Sequence, residues 1–222
     1  MPRLSSFASM GQRCRRLVAT TPVTCPPTGV SFTSNTFTVS TAGTARQNGT
    51  YVASASSYGS TFSPYLGFGP SNTFWHCQYQ GSGSGSVPAY SNGAYSSGSY
   101  VGGGVTGALY STATSTISVS GEWLQMQLPH NLQLTSYTIP SRVGYPSRYP
   151  SAFTVMGSND GVAWVIVDSR SGQNSATVTY TLATTPGYYR YFRIVFSALQ
   201  SASDAGAVAT YGVSFTGVDT VF

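Results

Sequence analysis

The sequence predicts an all-β fold, an antiparallel sandwich or barrel, on three observations. Apolar residues alternate with period two in several segments. No segment shows the three- and four-residue apolar spacing of an amphipathic helix. Short clusters of Gly, Pro, Ser and Asn separate the alternating runs, as turns between antiparallel strands require. At 222 residues the chain fits one large β domain or two small ones. A chain of that length hides roughly 70% or more of its unfolded surface and needs no staple to hold a core.

In order along the chain, Val30 to Val39 reads as a weak strand. Residues 81–107, "GSGSGSVPAYSNGAYSSGSYVGGGVTG", are low in complexity and read as a flexible loop. Tyr79, Tyr90, Tyr95 and Tyr100 interrupt that pattern, to pin the loop to the body or to line a ligand surface. Gly102, Gly104 and Gly107 match GxGxxG, but without the flanking strand and helix that a dinucleotide fingerprint needs, so they read as loop. Thr116 to Val119 is a further weak strand. In "EWLQMQL", Leu124, Met126 and Leu128 face one way and Gln125 and Gln127 the other. Leu134 to Ile139 and Ala152 to Met156 follow as strands. "GSNDGVAW" (157–164) carries Asp160-Gly161 between apolar segments, the signature of a hairpin turn; Asp160 has no second acid near enough for a calcium loop. Trp164 shares its parity with Val162 and Ile166 and is expected in the core. "VAWVIV" is apolar on both parities, the pattern of a central strand between layers. Val178 to Leu182 is a weak strand. In "YYRYFRIVF", Phe192, Ile194 and Phe196 share a face opposite Tyr189, Tyr191 and Arg193. "VATYGVSF" closes the chain with Ala209, Tyr211, Val213 and Phe215 in phase.

Charged residues are only 7% of the chain, while aromatics are 14%, which separates it from disordered sequences. Every basic residue is arginine. Four of the ten (Arg3, Arg13, Arg15, Arg16) lie in the first sixteen residues, which hold no acid; removing those four from the net +5 leaves +1 for the rest. A body so close to neutral argues against a duplex-binding domain, so nucleic-acid contact is expected only through the N-terminal segment. That segment, residues 1–28, reads as an extended basic arm that docks on a partner, with residues 29–222 as the folded domain. Its Arg- and Ser-rich, acid-free composition also fits a mitochondrial-type presequence. The longest apolar run there is Leu17 to Ala19, too short for a secretory signal, and no stretch is long enough to span a membrane. Cys14, Cys25 and Cys77 form neither a zinc motif nor a disulfide framework and suit a reducing compartment.

Catalysis is not expected. Five acids, one of them a glutamate (Glu122, expected to cap a strand edge or pair with an arginine), and two histidines 54 residues apart (His76, His130) supply no carboxylate pair, triad or metal-ligand spacing. No metal and no cofactor is predicted.

Five motifs in order make the chain resemble a known family: "GFGPSNTFWHC", "GEWLQMQLP", "SYTIPSR…YPSAFTVMGSNDGVAWVIVDS", "YYRYFRIVFS" and a final "VSFTG". Over about residues 45–217 this series resembles the discoidin, or coagulation factor 5/8 type C, galactose-binding-like domain. The resemblance implies a jelly-roll-like β-sandwich that binds galactose-type sugars, other glycans, lipid or protein partners through loops at one end. It implies that Trp75 and Trp164 are core residues and leaves Trp123 open. By position it points to His76, Arg142, Tyr145 and Arg148 as ligand-binding residues, an aromatic face for a sugar ring with Arg and His donors for its hydroxyls. Two departures stand out. Gly69 occupies the place where many members carry an aspartate near a bound calcium, and no cysteine follows Cys77 to tie the chain ends. The version here is most similar to copies in large DNA viruses. The function expected is therefore a non-enzymatic virion structural protein, a minor capsid, decoration or fibre-associated component, held to other capsid proteins by its arm and located in the virion. The alternative is a glycan-binding lectin module for host attachment or adhesion.

Overall fold

A computed structural model describes residues 21–40, 45–59, 61–70, 73–77, 95–96, 99–100, 108–112, 115–174, 178–200 and 207–219. Its strands are β1 (Val23–Cys25), β2 (Thr36–Val39), β3 (Gly49–Ala55), β4 (Trp75–His76), β5 (Tyr95–Ser96), β6 (Ser99–Tyr100), β7 (Ala108–Thr112), β8 (Ser115–Val119), β9 (Glu122–Thr138), β10 (Pro150–Ser158), β11 (Val165–Arg170), β12 (Thr179–Thr181), β13 (Tyr188–Leu199), β14 (Ala209–Thr210) and β15 (Ser214–Asp219). Every pairing between them is antiparallel. The arm arginines Arg3, Arg13, Arg15 and Arg16, Tyr79 and Tyr90, and the Gly102–Gly107 motif lie outside the described residues, as do the side chains of Tyr95 and Tyr100.

The organising element is β9. Two segments expected as separate strands are one run of 17 residues. Its first half, Leu124–Gln127, lies between β3 and β13. Its second half, Leu132–Thr138, lies along β15, with β12 joining at Ser136–Thr138. Pro129 hid this continuity, because a proline has no N–H for a ladder. The ladder to β13 skips this stretch, passing from Gln127 to Leu132, so no donor is required there. Gly49 makes the crossing possible: at φ +132° it lies where a Cβ would come within 2.4 Å of the Pro129 ring.

β9 thus serves both layers of the sandwich, β2-β3-β9-β13-β10-β11 and β1-β15-β9-β12. Between them sits one core. Leu124, Met126 and Leu128 meet Leu132, Leu134 and Tyr137, and Phe192, Ile194 and Phe196 of β13 meet Phe215 of β15, all essentially inaccessible. The Phe192 and Phe215 rings stack with centroids 5.1 Å apart. Trp75 is fully buried beside Phe196, as the resemblance implied, and its Nε1 donates to the Ser57 carbonyl at 3.0 Å.

A second, smaller cluster covers the outer face of the first layer: Met156, Trp164 and Val195, with Val119, Trp123 and Tyr191 packed on it. Arg193 lies between the two indoles, its guanidinium carbon 4.1 Å from each ring centroid, and donates from Nε and Nη2 to Gln125 Oε1. The open question about Trp123 is answered here: it is half-buried on the outer face.

Several expectations need correction. The arm does not extend to residue 28: β1 pairs with β15 (Val23↔Gly217, Cys25↔Phe215), and Val23 and Cys25 are buried, so the sandwich begins at β1. Three residues of period-two sequence give too little pattern to read. "VAWVIV" is not central. β11 is the last strand of its layer, and Val162 and Ile166 are exposed (77% and 42%). Trp164 is buried even so, because it precedes β11 and is not yet in the pleat. Tyr189 leaves the face of Tyr191 and Arg193 and packs on the main core, since the register slips between Tyr189 and Tyr191. "VATYGVSF" is two strands broken at Gly212 (φ +56°).

The Asp160-Gly161 turn forms as expected. Asp160 Oδ1 accepts from the Val162 and Ala163 amides at 2.8 Å and from Ser158 Oγ at 3.0 Å, and Gly161 takes φ +74°. These bonds hold the Asp160 carboxylate below its ordinary range, the Val162 amide contributing most.

Candidate functional site

Three segments meet at one end of the sandwich. β14 pairs with β4 (Ala209↔His76, Thr210↔Trp75), and Thr210 bridges on its other side to Ser141 and donates from Oγ1 to the Pro140 carbonyl at 2.8 Å. β14 therefore holds β4 and the loop 139–149 side by side.

Alternation along β4 sends Trp75 into the core and leaves Phe74 and His76 on the other side. The loop contributes through its turns. The Tyr145 amide donates to the Arg142 carbonyl, and the Arg148 amide to the Tyr145 carbonyl, both at 3.1 Å, with Pro146–Arg148 forming a 3₁₀ turn. Gly144 (φ +80°) lets the first of these turns close. Consecutive turns of three residues stack positions 142, 145 and 148 on one side of the loop.

All four residues expected to bind ligand are brought together. Arg142 is layered between two rings, its guanidinium carbon 3.7 Å from the Phe74 centroid and 3.9 Å from that of Tyr145. Arg148 approaches the same Tyr145 ring at 4.8 Å. Its Nη1 lies 2.6 Å from His76 Nε2. A guanidinium only donates, so Nε2 is the acceptor and the imidazole proton sits on Nδ1. His76 and Arg148 are both buried (2% and 8% exposed), whereas Tyr145 is 40% exposed. Phe62 completes the row, stacked on Phe74 (4.8 Å) and tilted against His76 (5.2 Å). Sequence reading missed Phe62 and Phe74; the signal for Phe74 was its place beside a core tryptophan, on the face of His76.

Glu122 lies beneath this surface. It does not cap an edge: it opens β9 fully buried, and its Oε2 accepts from the hydroxyls of Ser56 and Ser57, the latter at 2.7 Å. Burial pushes the neighbouring Cys77 thiol well up, and the Glu122 charge adds to that rise while Arg148 opposes it.

Among the described residues, the surroundings of Gly69, where many family members bind calcium, offer no carboxylate donor. A cavity of about 180 Å³ beside Gly69 is walled by Pro26–Val30, Phe68–Pro70 and Gly212–Ser214, which include no carboxylate. A calcium loop gathers several. Among the described residues, no three His, Cys, Asp or Glu side chains are grouped for a metal, and no helix is long and apolar enough to cross a membrane.

The fold and its loop-borne surface define an all-β module of the sandwich class. A family model for the F5/8 type C domain matches residues 86–210, more than half of the chain, and the chain belongs to that family. The match takes in Arg142, Tyr145 and Arg148; His76 lies before it. Among solved structures, the chain is similar to the family 32 CBM from Clostridium perfringens NanJ, determined in complex with galactose. The two are 17% identical with a TM-score of 0.50 over 75% of this chain and 93% of that one. It is also similar to a CBM32 from a family 31 glycoside hydrolase of Clostridium perfringens, at 13% identity and a TM-score of 0.51 over 74% of this chain and 88% of that one. No curated protein matches the chain.

Proposed function

We propose that this chain is a glycan-binding module whose ligand sits on Tyr145 and Arg142, with Phe62, Phe74, His76 and Arg148 packed behind them as their support. One observation carries the reading: residues from two distant segments converge into a single aromatic and N–H-donor surface at the loop end of the fold. The exposed face of Tyr145 suits the apolar side of a pyranose, and the guanidinium N–H groups suit its hydroxyls. A solved module of similar fold holds galactose, so galactose-type sugars are the first ligands to test. Binding rather than hydrolysis is the expected action. Glycoside cleavage uses a pair of carboxylates, and segments 73–77, 139–149 and 207–213 contain no Asp or Glu.

The test is a galactose titration of the full chain followed by NMR. Binding predicts shifts in the Arg142–Arg148 amides, and Tyr145→Ala weakens affinity by about tenfold, the worth of one stacked ring. Millimolar galactose or oligosaccharide that moves none of these resonances sinks the reading.

The virion setting is a second proposal, supported by the acid-free arm with Arg3, Arg13, Arg15 and Arg16, suited to carboxylates or carbonyls of capsid neighbours or to a packaged genome. Because β1 starts at Val23, deleting residues 1–20 removes the arginines and spares the sandwich. Loss of incorporation into particles is the expected result; unchanged incorporation refutes it.

A further inference from the structure

We propose that the N-terminal segment of this chain docks on its own domain, with an arginine from the group Arg13, Arg15 and Arg16 seated against Asp160 in a hollow at the end of the sandwich away from the binding loops. This concerns the arm and stands apart from the glycan reading.

The first observation is the hollow. The Asp160 turn and the start of β13 enclose a cavity of about 220 Å³, lined by Gly157–Asp160, Ala163–Val165 and Tyr189. That is below the roughly 300–1,000 Å³ of small-molecule sites and suits a single side chain. Its lining combines two aromatic residues, Trp164 and Tyr189, with a carboxylate. Asp160 is exposed, and its Oδ1 takes the three bonds that hold the turn, from Val162, Ala163 and Ser158, which leaves Oδ2 for a donor from outside the turn. A carboxylate beside aromatic rings selects a guanidinium, whose edge donates to the oxygen while its face lies on a ring.

The second observation is charge. Among the described residues the other acids are already engaged: Asp219 on Arg46, Asp168 on Arg170 and Tyr137, and Glu122, buried, on Ser56 and Ser57. Arg190 lies nearby, its amide on Asn159 Oδ1, but its Nε donates to the Leu128 carbonyl. An arm with four arginines and no acid thus meets one exposed carboxylate that is not already paired with an arginine.

The third observation is reach. Asn159 Nδ2 bonds the Tyr188 carbonyl at 3.1 Å, Tyr188 faces Gln133, Gln133 faces Val218, and the adjacent Gly217 faces Val23. Three strand spacings, about 15 Å, and the width of the turn separate Asp160 from the entry to β1, about 20 Å in all. Arg46 fixes that entry through the Thr21 carbonyl at 3.1 Å. Arg16, Arg15 and Arg13 precede Thr21 by five, six and eight residues, which span about 17–26 Å when extended. A tether that matches the span gives these arginines a roughly millimolar effective concentration at Asp160, above that of a second copy in dilute solution. Seated there, they are held back until a partner offers more negative charge than one aspartate.

The experiment is limited trypsin digestion of the full chain at about 0.05 M salt, read by mass spectrometry, beside Asp160→Asn. The asparagine keeps the oxygen that holds the turn and removes the charge. Cleavage after Arg13, Arg15 and Arg16 is expected to be about fivefold faster in the variant, the size of one exposed ion pair with a ring contact. The unaltered chain should lose its protection near 1 M salt, where screening acts within roughly 3 Å. If the variant does not fold, deletion of residues 1–20, which spares β1, decides by NMR: the Asp160, Val162 and Ala163 amides should shift, and unmoved amides overturn the proposal. Equal cleavage rates overturn it as well, and so does protection that survives Asp160→Asn, because the arm is then held elsewhere. Protection that rises with protein concentration assigns the arm to a second copy and overturns docking on its own domain. No readout uses a sugar, so each of these failures leaves the glycan reading untouched.

Discussion

Arg193 offers a sharp test of how the outer face is held. Two substitutions of similar apparent severity should behave differently. The guanidinium lies 4.1 Å from the centroids of both Trp123 and Trp164 and donates twice to Gln125 Oε1. Two cation–π contacts at a partly desolvated site are worth about 2 kcal/mol together. The hydrogen bonds from a charged donor add about 2 kcal/mol. Against them stands desolvation, which pulls the Arg193 pKa down to about 10. Discounted for the solvent that still reaches the half-buried group, that costs about 2 kcal/mol. The charge is thus close to neutral in net effect, while the side chain's bulk, wedged between two indoles, is not. Arg193→Met keeps the bulk and adds sulfur–ring contacts, so it should change stability by less than about 1 kcal/mol. Arg193→Ala leaves a gap between the indoles and should cost about 2–3 kcal/mol. Urea unfolding followed by tryptophan fluorescence measures both. If the methionine variant loses as much as the alanine variant, the charge itself carries the stability and the reasoning fails.

Three other expectations are open to measurement. A Cβ at Gly157 would lie 2.3 Å from the Tyr189 ring, so Gly157→Ala should displace that ring and cost about 1–3 kcal/mol by urea unfolding. Asp160 has a folded pKa below its unfolded value, so its contribution is present at neutral pH and is lost as pH falls below the ordinary carboxylate range; an NMR titration should place its midpoint under 3.8, and an ordinary midpoint would show that the turn bonds are not formed. Burial pushes the Cys25 thiol up to about 11, against a hydrogen bond from Tyr51, so labelling by a disulfide reagent near pH 8 should be about a hundredfold slower than in the unfolded chain.

The core was legible where alternation was long and uninterrupted. Leu124, Met126 and Leu128, and Phe192, Ile194 and Phe196, are buried on the faces their parity assigned. Parity failed where the backbone slips by a residue, at Tyr189, or where a strand has not begun, at Val162. Nothing in local sequence marks such a slip. β1 and β4 are too short for a period to show, and β3, "GTYVASA", is built largely of small residues with weak strand preference. The candidate site was proposed from the resemblance alone. His76 and Arg148 are 72 positions apart, and their contact depends on β14 lying between their segments. The spacing of three between Arg142, Tyr145 and Arg148 was visible in sequence, but reads as one-sided only once the loop is known to turn every three residues.

The pairing of β1 with β15 fixes where the chain enters and leaves the sandwich. Val23 faces Gly217, and Arg46 joins the Thr21 carbonyl to Asp219. Ser214, at the other end of β15, adjoins the binding loops, so Asp219 is five strand residues, about 17 Å, away from them. Both portals therefore open at the end of β15 away from the loops that carry His76, Arg142 and Arg148. Under the glycan-binding and arm proposals together, a tether engaged there would leave the loop end unobstructed, and one molecule would bridge two surfaces rather than choose between them.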